Sequence, residues 1–431
     1  MMFHIQLFWM NGRDLSSFLK KRFQILKKGG AMSNLALDLK IEGDFIDSFI
    51  YSGVLYLLDS EFRFTSYSWN SLCDFILKRN GFKFSDANFI LKYSKDNRNN
   101  NNSAHTIDTN ISESELLSLK KDSIDINTWP SDINLFSNKL YFSGDDGVYF
   151  INTSHMTAEF DKRKMQKVFG MKSFSISPNT NNRLALAVGR EGVFTSTLKY
   201  GSKIPAESKV SDSSCIDIDW MNDNLFINSD TLVVERFCKI ENKNKAESND
   251  LFVAIRSEIS KGYEEENVIS GELFKKAYNK YVEAILDKPP ETLRLKENYK
   301  YGWSSGDCDF ILNQDDRILA QDNMTGEQRH VLLGEYSSGL IKVRTSGCGT
   351  IMESKDGRLF MVSEHEFKGI SSEFVSWRVF PRAKNHANHL HIINDENINI
   401  LIYNKRESIF NTFLSKGNDD EYNYKISSLI S

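Results

Sequence analysis

From Asp44 onward, short apolar runs alternate with polar breaks, the pattern of β-strands joined by tight turns. Phe45 to Ile50, Val54 to Leu58 and Phe62 to Thr65 read as three strands separated by Ser52-Gly53 and Asp59-Ser60. A strand–turn–strand unit then recurs. Asn138-Lys139-Leu140-Tyr141-Phe142, Asn182-Arg183-Leu184-Ala185-Leu186 and Asp223-Asn224-Leu225-Phe226-Ile227 each place a polar turn before a second apolar strand. Asp316-Arg317-Ile318-Leu319-Ala320, Gly357-Arg358-Leu359-Phe360-Met361 and Asn397-Ile398-Asn399-Ile400-Leu401 continue the series. With Leu140, Leu184, Leu225, Ile318, Leu359 and Ile400 equivalent, the steps are 44, 41, 93, 41 and 41 residues. A period near ~40 residues with several strands per unit predicts an all-β fold built from propeller blades. Six aligned units and the strands from Phe45 give about seven four-stranded blades. Six to eight are compatible, because the stretch from Phe82 to Trp129 is ambiguous.

Some segments fall outside the repeat. Phe82 to Tyr93 carries strand signal without a copy of the unit, and Asp96 to Asn102 is a polar low-complexity loop. The 93-residue step contains a polar run, Glu241 to Asp250, and then two helical periodicities. Leu251, Ala254, Ile255 and Ile259 form one face, and Phe274, Ala277, Tyr278, Tyr281, Val282 and Ile285 form another, ended by Pro289-Pro290. Residues 241–295 are therefore expected to be an α-helical insertion within the propeller. It would either dock a partner or cover the channel, or else pack along a blade. Leu35 to Ile41 reads as the strand that closes the ring, paired beside Tyr422 to Leu429.

Forty per cent hydrophobic and 26 per cent charged residues describe a globular chain with a sizeable core. No apolar run approaches the ~18 residues needed to span a bilayer. The five cysteines, Cys73, Cys215, Cys238, Cys308 and Cys348, are scattered and odd in number, which favours a reducing compartment, the cytoplasm. The net charge of −4 hides an asymmetry. Residues 1–31 hold six basic residues against Asp14, a local +5, so the rest sums to −9 and offers no general attraction to nucleic acid or anionic membrane. Leu15, Phe18, Leu19, Phe23 and Leu26 would make residues 1–31 a basic amphipathic helix. The alternative is a leader-like segment. Lys28-Gly29-Gly30 before Met32 reads as a translated ribosome-binding site, which would make Met32 the natural start and residues 32–431 the propeller.

Three constellations carry candidate chemistry. His386, His389 and His391 include two histidines on one strand face, which could share a metal. Trp303, Asp307 and Asp309 precede one inner strand and Arg344 and Cys348 another. Together they offer the aromatic, charged and thiol groups of a ligand site at a channel mouth. Trp377, Arg378, Arg382 and Lys384 interleave basic and aromatic residues, a pattern able to hold phosphate or single-stranded nucleic acid. Gly144-Asp145-Asp146-Gly147 is too short for a calcium loop and reads as a hairpin turn. No cofactor motif is present in the sequence, since neither glycine-rich stretch matches a nucleotide-binding loop.

The repeats resemble the WD-repeat and kelch-like β-propeller superfamily over roughly residues 35–431. The resemblance is architectural: Trp220 is followed by Met221 and Trp377 by Arg378, so the Trp-Asp signature is missing, as are the paired glycines of kelch repeats. It implies a disc whose loop-bearing faces bind proteins or peptides. The leading expectation is a non-enzymatic protein-interaction scaffold in a bacterial multi-protein system. A propeller enzyme or ligand sensor is the alternative, and a nucleic-acid platform the second.

Overall fold

The structure is a computed structural model that describes residues 35–81, 106–237 and 289–404. Short stretches (163–164, 180–182, 198–205, 222–223, 294, 296–298, 306–307, 315–316, 323–324, 333–339, 364–365 and 384) are excepted. It is a seven-bladed propeller of antiparallel four-stranded sheets. The inner strands of blades 1 to 7 are, in order, Phe45–Tyr51, Ile133–Phe136, Ser175–Pro178, Asp217–Met221, Tyr301–Ser304, Leu340–Ser346 and Ser376–Val379. Each touches the next, and the last touches the first, so they close a ring.

The alternation read in the sequence has a direct structural cause. Each blade is covered on both faces, so its second strand is largely buried: Arg183–Ala187 and His389–Ile393 are buried along their whole length. The hydrophobic core is divided into seven clusters, one between each pair of neighbouring blades. Tryptophans on inner strands tie neighbours together. Trp220 Nε1 donates to Ser177 O at 2.8 Å, Trp303 Nε1 to Thr345 Oγ1 at 2.7 Å, and Trp377 Nε1 to Glu353 Oε2 at 2.7 Å.

Closure uses the strand Leu35–Glu42, which pairs antiparallel with Asn397–Tyr403 and completes blade 7. Its other edge pairs in parallel with Ile107–Ile111, an excursion from blade 1. Both edges of the closing strand are thus taken, which corrects the expected pairing with Tyr422 to Leu429; those residues lie outside the described ones. The excursion begins with an 11-residue helix, Trp69–Arg79, capped by Ser68. Trp69, Leu72, Cys73, Ile76 and Leu77 fall on one helical stripe and pack into the cluster at the closing seam. A short helix, Glu113–Leu117, follows with a Ser112/Glu115 capping box, and Lys120–Asp125 returns as the outer strand of blade 1. The segments Phe82 to Tyr93 and Asp96 to Asn102 lie outside the described residues.

The stretch 241–295 returns to sheet at its end. Glu291–Thr292 pairs with Glu235 and Arg236 as the outer strand of blade 4. Its two helical periodicities lie outside the described residues. Asp145 and Asp146 form a hairpin turn between paired Gly144 and Gly147, as expected. Among the described residues, no helix is long and apolar enough to cross a membrane.

The seam gives a direct test. Leu39 is fully buried opposite Ile400, whereas Lys40 on the same strand is exposed. Leu39→Ala should lower unfolding free energy by about 2–5 kcal/mol in denaturant titration. Lys40→Ala should change it by less than about 0.5 kcal/mol.

Candidate functional site

The inner strands surround a central cavity of about 440 Å³, lined from blades 1, 2, 3, 4, 6 and 7 and from the turn after the last inner strand. Its wall follows strand alternation. Ile218 and Trp220 point into the interface with blade 3, Val343 into that with blade 5, and Trp377 into that with blade 6. The residues between them, Asp217, Asp219, Lys342, Arg344 and Arg378, occupy the opposite strand faces and line the cavity. Blade 5 departs from this rule by placing Tyr301 and Trp303 in its interface with blade 6.

Three arginines lace the cavity together. Arg344 of blade 6 passes blade 5 to grip Asp217 of blade 4, through Nη2–Oδ1 at 2.6 Å and Nη1–Oδ2 at 3.1 Å. Arg378 of blade 7 holds Asp47 of blade 1 through Nε at 2.8 Å and Nη2 at 2.6 Å, and reaches Asp132 at 3.1 Å. Arg382 crosses from the turn after blade 7 to Asp219 at 2.9 Å and to the carbonyls of Pro178 and Trp220 at 3.0 and 2.8 Å. The carboxylates are also held by backbone amides: Ile176 N donates to Asp132 at 2.7 Å and Ser304 N to Asp219 at 2.9 Å.

Burial alone would push the Asp217 carboxyl up. The charge of Arg344, with hydrogen bonds from Arg344 and the Tyr301 hydroxyl, outweighs it and holds the carboxyl below its ordinary range. Lys342 stands apart. Among the described residues its ammonium forms no ion pair, and it lies 4.9 Å from the centre of the Trp377 ring. Burial, followed by the charges of Arg378 and Arg344, holds it below the usual lysine range against the weaker pull of Asp132 and Asp217.

The structure separates the residues singled out from sequence. Of the channel-mouth group, only Arg344 lines the cavity. Trp303 is fully buried and stacked on Phe310, Asp309 is buried and accepts from Ser304 Oγ at 3.0 Å, and Cys348 is buried with its thiol 2.9 Å from Ser346 Oγ. Asp307 lies outside the described residues, as does Lys384. Trp377, Arg378 and Arg382 do cluster, but Trp377 is buried and both guanidiniums are ion-paired in the cavity wall. The carboxylates Asp47, Asp132, Asp217 and Asp219 escaped notice in the sequence. The signal was an acidic residue recurring in inner strands, most plainly in Ile216-Asp217-Ile218-Asp219-Trp220.

The three histidines come together in the closing seam, all buried. Ring centres are 4.9 Å apart for His386 and His389 and 5.9 Å for His389 and His391. His391 Nδ1 lies 2.7 Å from Ser48 Oγ, and Gly53 N donates to His386 Nε2 at 3.2 Å, so both reach from blade 7 to blade 1. Neither nitrogen of His389 has a hydrogen-bond partner among the described residues. As placed, no three His, Cys, Asp or Glu side chains among the described residues are arranged to hold a metal.

No sequence family matches the chain, and no curated protein does. Among solved structures, a chain from "Crystal Structure of Mitotic Checkpoint Complex" aligns with TM-score 0.40 and 9% identity, over 85% of this chain and 89% of that one. "Structure of Dos1 propeller" aligns with TM-score 0.40 and 8% identity, over 84% and 80%. Likenesses this low add nothing to what the sheets themselves show.

Two outcomes follow from this geometry. Asp217→Asn leaves Arg344 buried without its carboxylate and should cost about 3–5 kcal/mol in chemical denaturation. Asp217→Asn with Arg344→Met should recover much of that loss. The histidines set an acid limit. Burial, then the charges of His386 and Arg378, pushes His391 down to about 3, and burial holds His389 well below its ordinary value. The unfolded chain therefore binds these protons more readily. Their stabilising contribution is complete above ~6.5 and is lost as pH falls toward 3. The thermal midpoint should drop from pH 7 to pH 5, and His389→Met should shrink that drop.

Proposed function

We propose that this propeller is a non-enzymatic platform for protein partners, bound on the face where the inner strands begin. One observation carries the reading. Phe174, Ile216, Ile341 and Val375 stand at or just before the start of the inner strands of blades 3, 4, 6 and 7. They are 46%, 55%, 37% and 43% exposed. Phe174, Ile216 and Ile341 also line the cavity entrance. An exposed apolar residue thus recurs near the start of four of the seven inner strands on one face, and exposed apolar surface of this kind marks interaction sites.

The placement of other groups supports a binding role. Cys348 and Asp309, the candidate reactive groups, are turned into the sheets, and the two guanidiniums that suggested phosphate or nucleic-acid binding, Arg378 and Arg382, are engaged by carboxylates. The Asn-, Lys- and Ile-rich sequence supports a setting in a bacterial multi-protein system, and the scattered, odd-numbered cysteines support a cytoplasmic one.

Site-specific photo-crosslinking in the native host tests the rim. A cross-linker at Ile216 should capture a discrete partner that one at exposed Lys121, on the outer strand of blade 1, does not. Phe174→Ser, Ile216→Ser and Val375→Ser combined should weaken co-purification of that partner by at least ~10-fold while leaving the thermal midpoint near wild type. Equal capture from both positions, or an undiminished complex, would sink the proposal.

A further inference from the structure

Four cations line the cavity, Lys342, Arg344, Arg378 and Arg382, against three carboxylates, Asp132, Asp217 and Asp219. Every one of those carboxylates, and Asp47 behind Arg378, is already gripped by a guanidinium. Lys342 is the cation left over. It projects into the same space, over the Trp377 ring, with two guanidiniums near enough for their fields to act on it. A buried ammonium beside two guanidiniums, with Asp132 and Asp217 acting on it only at a distance, opposes folding. The rest of the wall is mixed, with apolar Phe49, Phe136, Val379 and Phe380 beside polar Asn134, Ser175 and Ser177. At about 440 Å³ the space is of the size that takes small organic molecules.

We infer that the central cavity is a binding site for a carboxylate carried on an apolar body, with Lys342 as its counterion. The ligand's carboxylate gives Lys342 the direct ion pair that it does not make in the wall, where Asp47, Asp132, Asp217 and Asp219 are each held by a guanidinium. Arg344 and Arg378 keep their own carboxylates, and Arg378 Nη1, which makes no hydrogen bond among the described residues, adds a donor without leaving its pair. The apolar body fills the space beneath the rim. This site stands whether or not the rim docks a protein. Its carboxylate can come from a small organic acid or from an acidic side chain of a docked chain, since the chemistry at Lys342 is the same.

The test uses the purified full-length chain and phenylacetate as probe, with phenylacetamide as its neutral counterpart. Phenylacetate should raise the thermal midpoint and give a saturable calorimetric isotherm, while phenylacetamide should not. Lys342→Met should weaken phenylacetate binding by roughly 10- to 100-fold, the loss expected for a charge-assisted contact. Without ligand, Lys342→Met should unfold at a midpoint equal to or above wild type, which shows that the variant folds. A second arm uses a short peptide with one glutamate among apolar residues and the same peptide with glutamine. Glutamate-specific, Lys342-dependent peptide binding without phenylacetate binding assigns the carboxylate to a partner chain, and the reverse assigns it to a free acid. Binding of acid and amide alike, binding unchanged by Lys342→Met, or no binding of either acidic probe overturns the site.

Discussion

Everything in this fold depends on closing the ring. Each blade is a thin sheet with two apolar faces, and each face is satisfied only by a neighbour, as the seven separate clusters show. Six interfaces join blades that follow one another in the chain. The seventh joins blade 7 to blade 1 and must be made between strands at opposite ends of the sequence: Leu35–Glu42 against Asn397–Tyr403. An open ring would expose two blade faces to water, at ~25 cal/mol for every Å² of apolar surface. The chain reinforces this seam beyond a single strand. Ile107–Ile111 pairs along the free edge of the closing strand, and the helix from Trp69 buries its apolar stripe in the same cluster. An edge that would otherwise invite pairing with another chain is thereby covered.

Putting all the apolar surface between blades leaves the centre polar. Isolated charges there would be costly, so they are arranged as a lattice in which Arg344, Arg378 and Arg382 each span blades that are not adjacent in sequence. Bidentate guanidinium–carboxylate geometry is directional, so these pairs form only when the blades have the right relative positions. The lattice thus acts on register more than on net stability. Lys342 is the member that the lattice does not use.

The repeat was legible because turn chemistry and strand alternation are local. Asn138, Gly357 and Asn397 mark where three of the units bend, and the blade count followed from the spacing. The helix Trp69–Arg79 falls between the strand runs read in the sequence, and its stripe at i, i+3, i+4, i+7 and i+8 went unread. The centre was half legible. Arg344, Arg378 and Arg382 stand out as basic residues near aromatics, but their partners lie 127, 331 and 163 positions away. No local pattern announces such a pair. Strand parity carried more than was taken from it. Arg344 implies Lys342 on the same face, and Asp217 implies Asp219. Trp303 shows the converse error, since an aromatic beside glycines looks like a site until its ring is found stacked on Phe310 and its N–H spent on Thr345.

The seam and the centre are finally one structure. Arg378 belongs to blade 7 and Asp47 to blade 1, so the bidentate pair between them exists only in the closed ring. The same holds for His391 with Ser48 and for His386 with the amide of Gly53. Closure slipped by one residue along Asn397–Tyr403 would turn Leu37, Leu39 and Ile41 out of the seam, because side chains alternate with a period of two. Apolar burial makes closure favourable, but it would tolerate registers that keep these side chains in the seam. The polar contacts select one of them, and in doing so they complete the wall of the cavity. A cavity assembled by the act of closure has a fixed shape, and that is the property a binding site on this ring requires.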